Sequence, residues 1–278
     1  MIKTLVSLDA DLASSIALRY VCQMANIMEM DIKTIHVEEP DSDENPPGTG
    51  WVRRTWEKGL LETAEIEISQ LVSAERASYP NLGSPKVIVG DREDGILNEL
   101  KEGHYDLLVE GTLLSFSTSH FNKKIRSKLY KRMPCPFLLV RNLVGIKKVA
   151  LLVEEETELW PLIPTFSSLF KGAELKFDLL HVIVQKPGLL GLRKSAEKTA
   201  AGMLEEDDEI LTAAKGMLAE SEWFPEATKV IRDVPAKIAD FLQDYGLVVS
   251  CIMRQAARKS PMLELLSRVP SAVLFCWQ

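Results

Sequence analysis

Ile2-Lys3-Thr4-Leu5-Val6-Ser7-Leu8-Asp9 and Lys147-Lys148-Val149-Ala150-Leu151-Leu152-Val153-Glu154 decide how this chain is organised. Each is a short apolar run with an acidic residue at its end. Each is followed by a second matching run, Thr34-Ile35-His36-Val37 in one case and Leu179-Leu180-His181-Val182 in the other. Glu154 lies 145 residues after Asp9, and His181 lies the same distance after His36, so the two copies align without a gap across this span. A repeat close to half of the 278 residues implies two similar domains, here set at 1–142 and 146–278.

Working outward, the first half reads as strands alternating with helices. The run over 4–8 is apolar on both faces, as a buried parallel strand should be. Leu12, Ile16, Tyr20 and Met24 then step along one face of a helix over 12–29, and 32–37 is the next strand. Residues 41–50, rich in Pro, Gly and acids, predict a loop. A helix over 51–78, a strand over 86–89, a helix over 94–102 and a strand over 107–109 follow. A helix over 123–132 and a strand over 137–140 complete the half. The second half repeats this order, with strands near 149–153, 179–184, 228–231, 247–249 and 272–276 and a long Ala-rich charged helix over 193–222. Alternation of this kind predicts an α/β protein with a parallel sheet covered on both faces, doubly wound in each half.

Composition narrows the function. Apolar residues make up 46% and charged residues 26%, as in globular proteins, and the net charge of −7 opposes non-specific attraction to nucleic acid or to anionic membrane. Cys22, Cys135, Cys251 and Cys276 have neither C-x-x-C spacing nor a nearby His, so no metal site is expected and a reducing, cytoplasmic location is. No stretch approaches the roughly 20 apolar residues of a spanning helix. No Ser/His/Asp, Cys/His, Walker or H-E-x-x-H pattern emerges, so no catalytic residue is assigned.

Several motifs carry a resemblance. They are Leu8-Asp9, Ile35-His36-Val37, Val89-Gly90-Asp91 and Asp106-Leu107-Leu108-Val109-Glu110-Gly111-Thr112. The last is Met133-Pro134-Cys135-Pro136 before Phe137-Leu138-Leu139-Val140-Arg141. In this order they resemble the universal stress protein (UspA-like) family in tandem form. The resemblance implies two five-stranded, Rossmann-like domains of the adenine-nucleotide-hydrolase type, paired through their last strands. Many members of that family bind ATP or AMP and others do not. In binders an Asp after strand one and a residue ending strand two hold adenine and ribose. The phosphates rest on a G-x-x-G loop that closes with G-S or G-T on the last helix. Backbone amides and a helix N-terminus supply the positive field. Carried over, this implies Asp9, Val37, Gly111 and Thr112 as nucleotide-binding positions. The chain departs from the pattern at Leu114, in the second Gly position, and at Lys123-Lys124, where G-S would close the loop. In the second half Cys251, Ile252 and Met253 replace the loop's start, Lys259-Ser260 its end, and Arg232 the counterpart of Gly90.

Each candidate has two readings. Lys123, Lys124 and Arg126, placed in a helical first turn, would oppose the macrodipole by roughly 0.3–1 kcal/mol each. Either an anion, with Thr112, Ser115, Ser117, Thr118 and Ser119 assisting, offsets that conflict, or the lysines form a solvated basic edge. Asp9 either accepts hydrogen bonds from a ribose or caps the following helix. Val37 is a strand residue unless adenine lies beside it. Ser260-Pro261 reads as a helix N-cap followed by Pro at the first helical position. His36 and His181 read as packed, hydrogen-bonded strand residues. The apolar segment 187–192 is either a contact patch or a cover over the sheet edge.

The sequence therefore leads to a non-catalytic, tandem universal-stress-protein-like module that acts in stress response or regulation through protein contacts. No cofactor is expected in that reading, and its protein partner is not named. Neither nucleic acid nor membrane is expected as a partner, and a homodimer is compatible with it. The alternative is an ATP- or AMP-binding protein that uses Asp9, Val37, Gly111, Thr112, Lys123 and Lys124 of the first domain alone.

Overall fold

The computed structural model describes residues 1–40, 50–113, 118–155, 159–185, 208–252 and 260–277. The chain divides into two compact units, Met1–Phe116 with Lys123–Gly145, and Ser117–Asn122 with Ile146–Gln278.

The first unit contains β1 (Ile2–Ser7), α1 (Leu12–Met24), β2 (Met30–Glu38), α2 (Trp51–Glu75), β3 (Lys86–Val89) and α3 (Arg92–Gly103). It continues with β4 (Leu107–Gly111), the end of α4 (Thr118–Ile125), whose residues up to Asn122 group with the second unit, then α5 (Lys128–Arg132) and β5 (Phe137–Val140). Its strands are all parallel and lie in the order β3-β2-β1-β4-β5. The chain steps one way from β1 through β3, then returns past β1 to β4. Right-handed crossovers on both legs place the helices on opposite faces. Accordingly α1 packs with α2, and α3 with α5.

The second unit contains β6 (Val149–Val153), α6 (Leu159–Leu169), β7 (Phe177–Val184), α7 (Glu209–Glu220), β8 (Ala227–Asp233) and α8 (Pro235–Phe241). A 3-10 turn (Leu242–Asp244), β9 (Leu247–Ile252), α9 (Pro261–Arg268) and β10 (Ala272–Trp277) complete it. The strand order, β8-β7-β6-β9-β10, repeats that of the first unit, again parallel throughout. Every residue of β6 and β9 is buried, which explains their unbroken apolar runs.

The repeat extends to side chains. Lys3 Nζ lies 4.8 Å from the ring centre of Tyr105, and Lys148 Nζ lies 5.2 Å from that of Tyr245. Each tyrosine stands two residues ahead of the fourth strand of its half, and each gives its hydroxyl proton to a carboxylate. Tyr105 donates to Glu99 at 2.6 Å and Tyr245 to Asp178 at 2.7 Å. The shared cation–π contact survives although the acidic partner comes from a helix in one half and a strand in the other.

One expectation needs correction. The helix expected over 123–132 is two helices, broken at Arg126 and Ser127. The first of them starts at Thr118, so Lys123 and Lys124 fall in its last turn rather than its first. Cations there complement the macrodipole, and the conflict that called for an anion vanishes. The helix expected over 193–222 is described only as Glu209–Glu220, capped by Asp208, whose side chain accepts from the Leu211 N–H; residues 193–207 lie outside the described residues. The loop 41–49 and the patch 187–192 lie outside them as well. Ser260 caps α9 by accepting from the Leu263 N–H, with Pro261 at the first helical position, as read from sequence.

Gly111 has a packing reason to be glycine. A Cβ there would sit 1.9 Å from the carbonyl oxygen of Ala13 in α1, a backbone atom that cannot turn aside. Gly59, within α2, has open space instead. Gly111→Ala is therefore expected to destabilise the first unit by about 1–3 kcal/mol or more through overpacking. Gly59→Ala is expected to stabilise it by up to about 1 kcal/mol through helix propensity. Urea denaturation of both variants beside the wild type checks the pair, and equal effects would remove the close approach of α1 as the reason.

Candidate functional site

In a doubly wound sheet the crevice opens at the carboxyl ends of the strands where strand order reverses, here between β1 and β4. β1 ends in Ser7 and is followed by Leu8-Asp9; β4 ends in Glu110-Gly111 and is followed by Thr112. Above them α3 begins at Arg92. Its N-cap is Asp91, which accepts from the Asp94 N–H at 2.8 Å, while the Arg92 N–H is received by Glu39 at 3.1 Å. These caps fix where the Arg92 side chain starts.

Glu110 occupies the centre of the crevice and is 1% exposed. Arg92 donates to its Oε1 at 2.8 Å, Lys124 Nζ lies 2.8 Å from its Oε2, and Tyr130 donates its hydroxyl proton to the same Oε2. Arg92 also donates to Ser7 Oγ at 3.0 Å and stands 3.5 Å from Asp9. Burial alone would raise the Glu110 carboxyl, but Lys124 and Arg92 hold it down to about 2. The same charge raises Arg92, and burial together with Glu110 raises the Tyr130 phenol well above its ordinary value. A fully buried carboxylate is tolerated only when paired and hydrogen-bonded, and both oxygens here are.

His36 borders the network from β2. Its two ring nitrogens face oxygen acceptors, Nδ1 the Leu8 carbonyl at 2.8 Å and Nε2 the Glu38 carboxylate at 2.9 Å, with Asp9 at 3.7 Å. The carboxylates of Asp9, Glu38, Glu39 and Glu110 thus outnumber the two long cations, Arg92 and Lys124, that they surround.

The positions chosen from sequence separate. Asp9 and Lys124 enter the network. Asp9 does not cap α1, because Asp11 does, accepting from the Ser14 N–H at 2.7 Å. Gly111 lies beneath Ala13 of α1, and Thr112 is buried with its N–H on the Val140 carbonyl at 2.9 Å. Val37 is buried where α3 approaches closely, since a Cβ on Gly95 would meet its Cγ2 at 2.9 Å. Lys123 is exposed, and no ion pair among the described residues includes it. Leu114, Ser115 and Ser117 lie outside the described residues. Arg92, Glu110 and Tyr130 escaped sequence reasoning. The available signal was Glu110 itself, an acid directly after the apolar run Leu107-Leu108-Val109 and in the same strand, which must find cations once buried.

The second unit has a smaller counterpart. His181, at the position matching His36, has Nδ1 2.6 Å from Asp208, the residue that also caps α7. Burial would raise the Asp208 carboxyl, yet the Leu211 N–H and His181 lower it. Cys251, at the position matching Gly111, is buried, and Arg232 is exposed. Lys259 and Met253 lie outside the described residues. Among the described residues no cluster of three or more His, Cys, Asp or Glu could hold a metal ion, and no helix is long and apolar enough to cross a membrane.

Glu110 titrates lower in the folded chain than the roughly 4.3 expected when unfolded. It therefore stabilises the fold fully above that value, and the contribution is lost as pH falls towards about 2. Between about pH 5 and about pH 2 the wild type should lose about 3 kcal/mol more than Glu110→Gln, which has no such carboxyl to protonate. Near neutrality the same variant should be about 3–5 kcal/mol less stable, since two cations lose their charge partner. Guanidinium titrations at several pH values check both, and parallel pH profiles would refute the assigned role of the carboxylate.

No protein-family model and no curated protein matches the sequence. Solved structures do resemble the fold. A universal stress protein from Archaeoglobus fulgidus DSM 4304 superposes with a TM-score of 0.67 at 12% identity, covering 100% of this chain and 96% of its own. A putative universal stress protein from Pseudomonas aeruginosa UCBPP-PA14 gives 0.58 at 14% identity, covering 99% of this chain and 93% of its own. A functionally unknown protein from Pseudomonas aeruginosa PAO1 gives 0.58 at 12% identity, covering 100% and 92%.

Proposed function

With the universal-stress-protein fold established over the full chain, we propose that the protein is a non-catalytic, cytoplasmic module of this type. It acts in stress response or regulation through protein contacts, and its first crevice is closed to nucleotide by the chain itself. The observation that carries this reading is the buried Glu110 carboxylate, held by Arg92, Lys124 and Tyr130. A phosphate arriving there would have to displace a charge that is already desolvated and paired. The rim carboxylates of Asp9, Glu38 and Glu39 oppose a polyphosphate as well, and Leu114 and Lys123 stand where the family's phosphate loop carries glycine.

The competing reading, ATP or AMP bound by the first domain, draws support from Asp9, whose side chain is 46% exposed and free of the helix-capping role. Isothermal titration with ATP and AMP separates the two. The wild type is expected to give no saturable heat up to about millimolar nucleotide, an affinity weaker than about −4 kcal/mol. Submillimolar binding that Lys123→Ala/Lys124→Ala abolishes would instead establish the nucleotide site and end the present proposal.

A further inference from the structure

Guanidinium, ammonium and phenol converge on Glu110, and the first and last of them are also held by something else. Arg92 is fixed by Ser7 Oγ at 3.0 Å and by Asp9 at 3.5 Å. Tyr130 is fully enclosed and meets the ring of Phe137 edge-on, with centroids 4.6 Å apart. Lys124 Nζ is poised 5.9 Å from the Tyr130 ring centre. Arg92 and Tyr130 are thus placed by their own surroundings, on α3 and α5, and Lys124 reaches the same focus from α4. Donors so placed, in a site shielded from water, suit a small oxyanion, since charge-assisted hydrogen bonds are stronger there than in bulk solvent.

We propose that Arg92, Lys124 and Tyr130 form a receptor for a small oxyanion of the inorganic phosphate class, with Glu110 as its tethered, self-inhibiting ligand. The proposal rests on the reading above and states what the closed crevice would hold once opened. Tethering makes Glu110 an intramolecular competitor at high effective concentration, so dissolved anion loses to it while the side chain stays in place. Truncating Glu110 takes from Lys124 its carboxylate, leaves Arg92 with Asp9 alone, and vacates the volume between the two cations.

The test uses the full chain, inorganic phosphate as the probe, and calorimetry at low ionic strength. Glu110→Ala is expected to bind phosphate saturably and at least about tenfold more tightly than the wild type. Lys124→Met in the Glu110→Ala background should weaken that binding roughly tenfold or more, the worth of one hydrogen bond to a charged group. A folded Glu110→Ala protein that gives no phosphate-dependent heat overturns the proposal, and so does binding that Lys124→Met leaves unchanged. Where Glu110→Ala does not fold, Glu110→Ser serves, read as a phosphate-dependent rise in its melting midpoint, and no rise counts equally against the receptor. Wild-type protein that binds phosphate as tightly as the variant would refute self-inhibition. The closed-crevice reading is tested separately by its own ATP and AMP titrations.

Discussion

One desolvated carboxylate governs the first half. Glu110 follows the apolar residues Leu107–Val109 of β4 and pairs in register with Leu139, a buried place where an unpaired charge would cost several kcal/mol. Its partners must come from outside the sheet, and they come from three successive helices. Arg92 opens α3, Lys124 closes α4 and Tyr130 sits within α5. Three helices thus meet over this one group near the carboxyl ends of β1 and β4. The break at Arg126 and Ser127 belongs to the same arrangement, because Lys124 and Tyr130 reach one oxygen from separate helices.

Because the partners are held by further contacts, the cluster behaves as a network rather than a pair. Arg92 divides its donors between Glu110 and Ser7 and lies close to Asp9, and His36 links the β2 end of the crevice to Glu38 and the Leu8 carbonyl. Removing one member of such a set leaves the others desolvated and charged, so substitutions within it should be non-additive. Polarity at this crevice is thus spent on internal order. In the second half the matching region holds a histidine and an aspartate that doubles as a helix cap, a smaller version of the same economy.

Much of the fold was legible in the sequence because local patterns carried it. The strands at 86–89 and 137–140 coincide with β3 and β5, and the repeat of 145 residues between Asp9 and Glu154 foretold that one strand order would recur. The site was legible only in part. Asp9 and Lys124 could be named from a motif, but Arg92, which joins them in the network, is distant in sequence from both, and nothing local links it to Glu110. The helix boundary was misjudged by five residues because Thr118, Ser119 and His120 are indifferent helix formers, and only tertiary context decides whether they join. Gly111 invited a phosphate-loop reading, although backbone crowding by Ala13 suffices to require it.

That crowding also separates the two halves historically. The first half admits no side chain at Gly111, whereas the second buries the thiol of Cys251 at the corresponding place. A stretch of the second copy written into the first by gene conversion would drive sulfur into the Ala13 carbonyl, unless the facing helix were transferred with it. Strand and helix form a matched set in the first half, so β4 there could take the second half's residue only together with a changed α1.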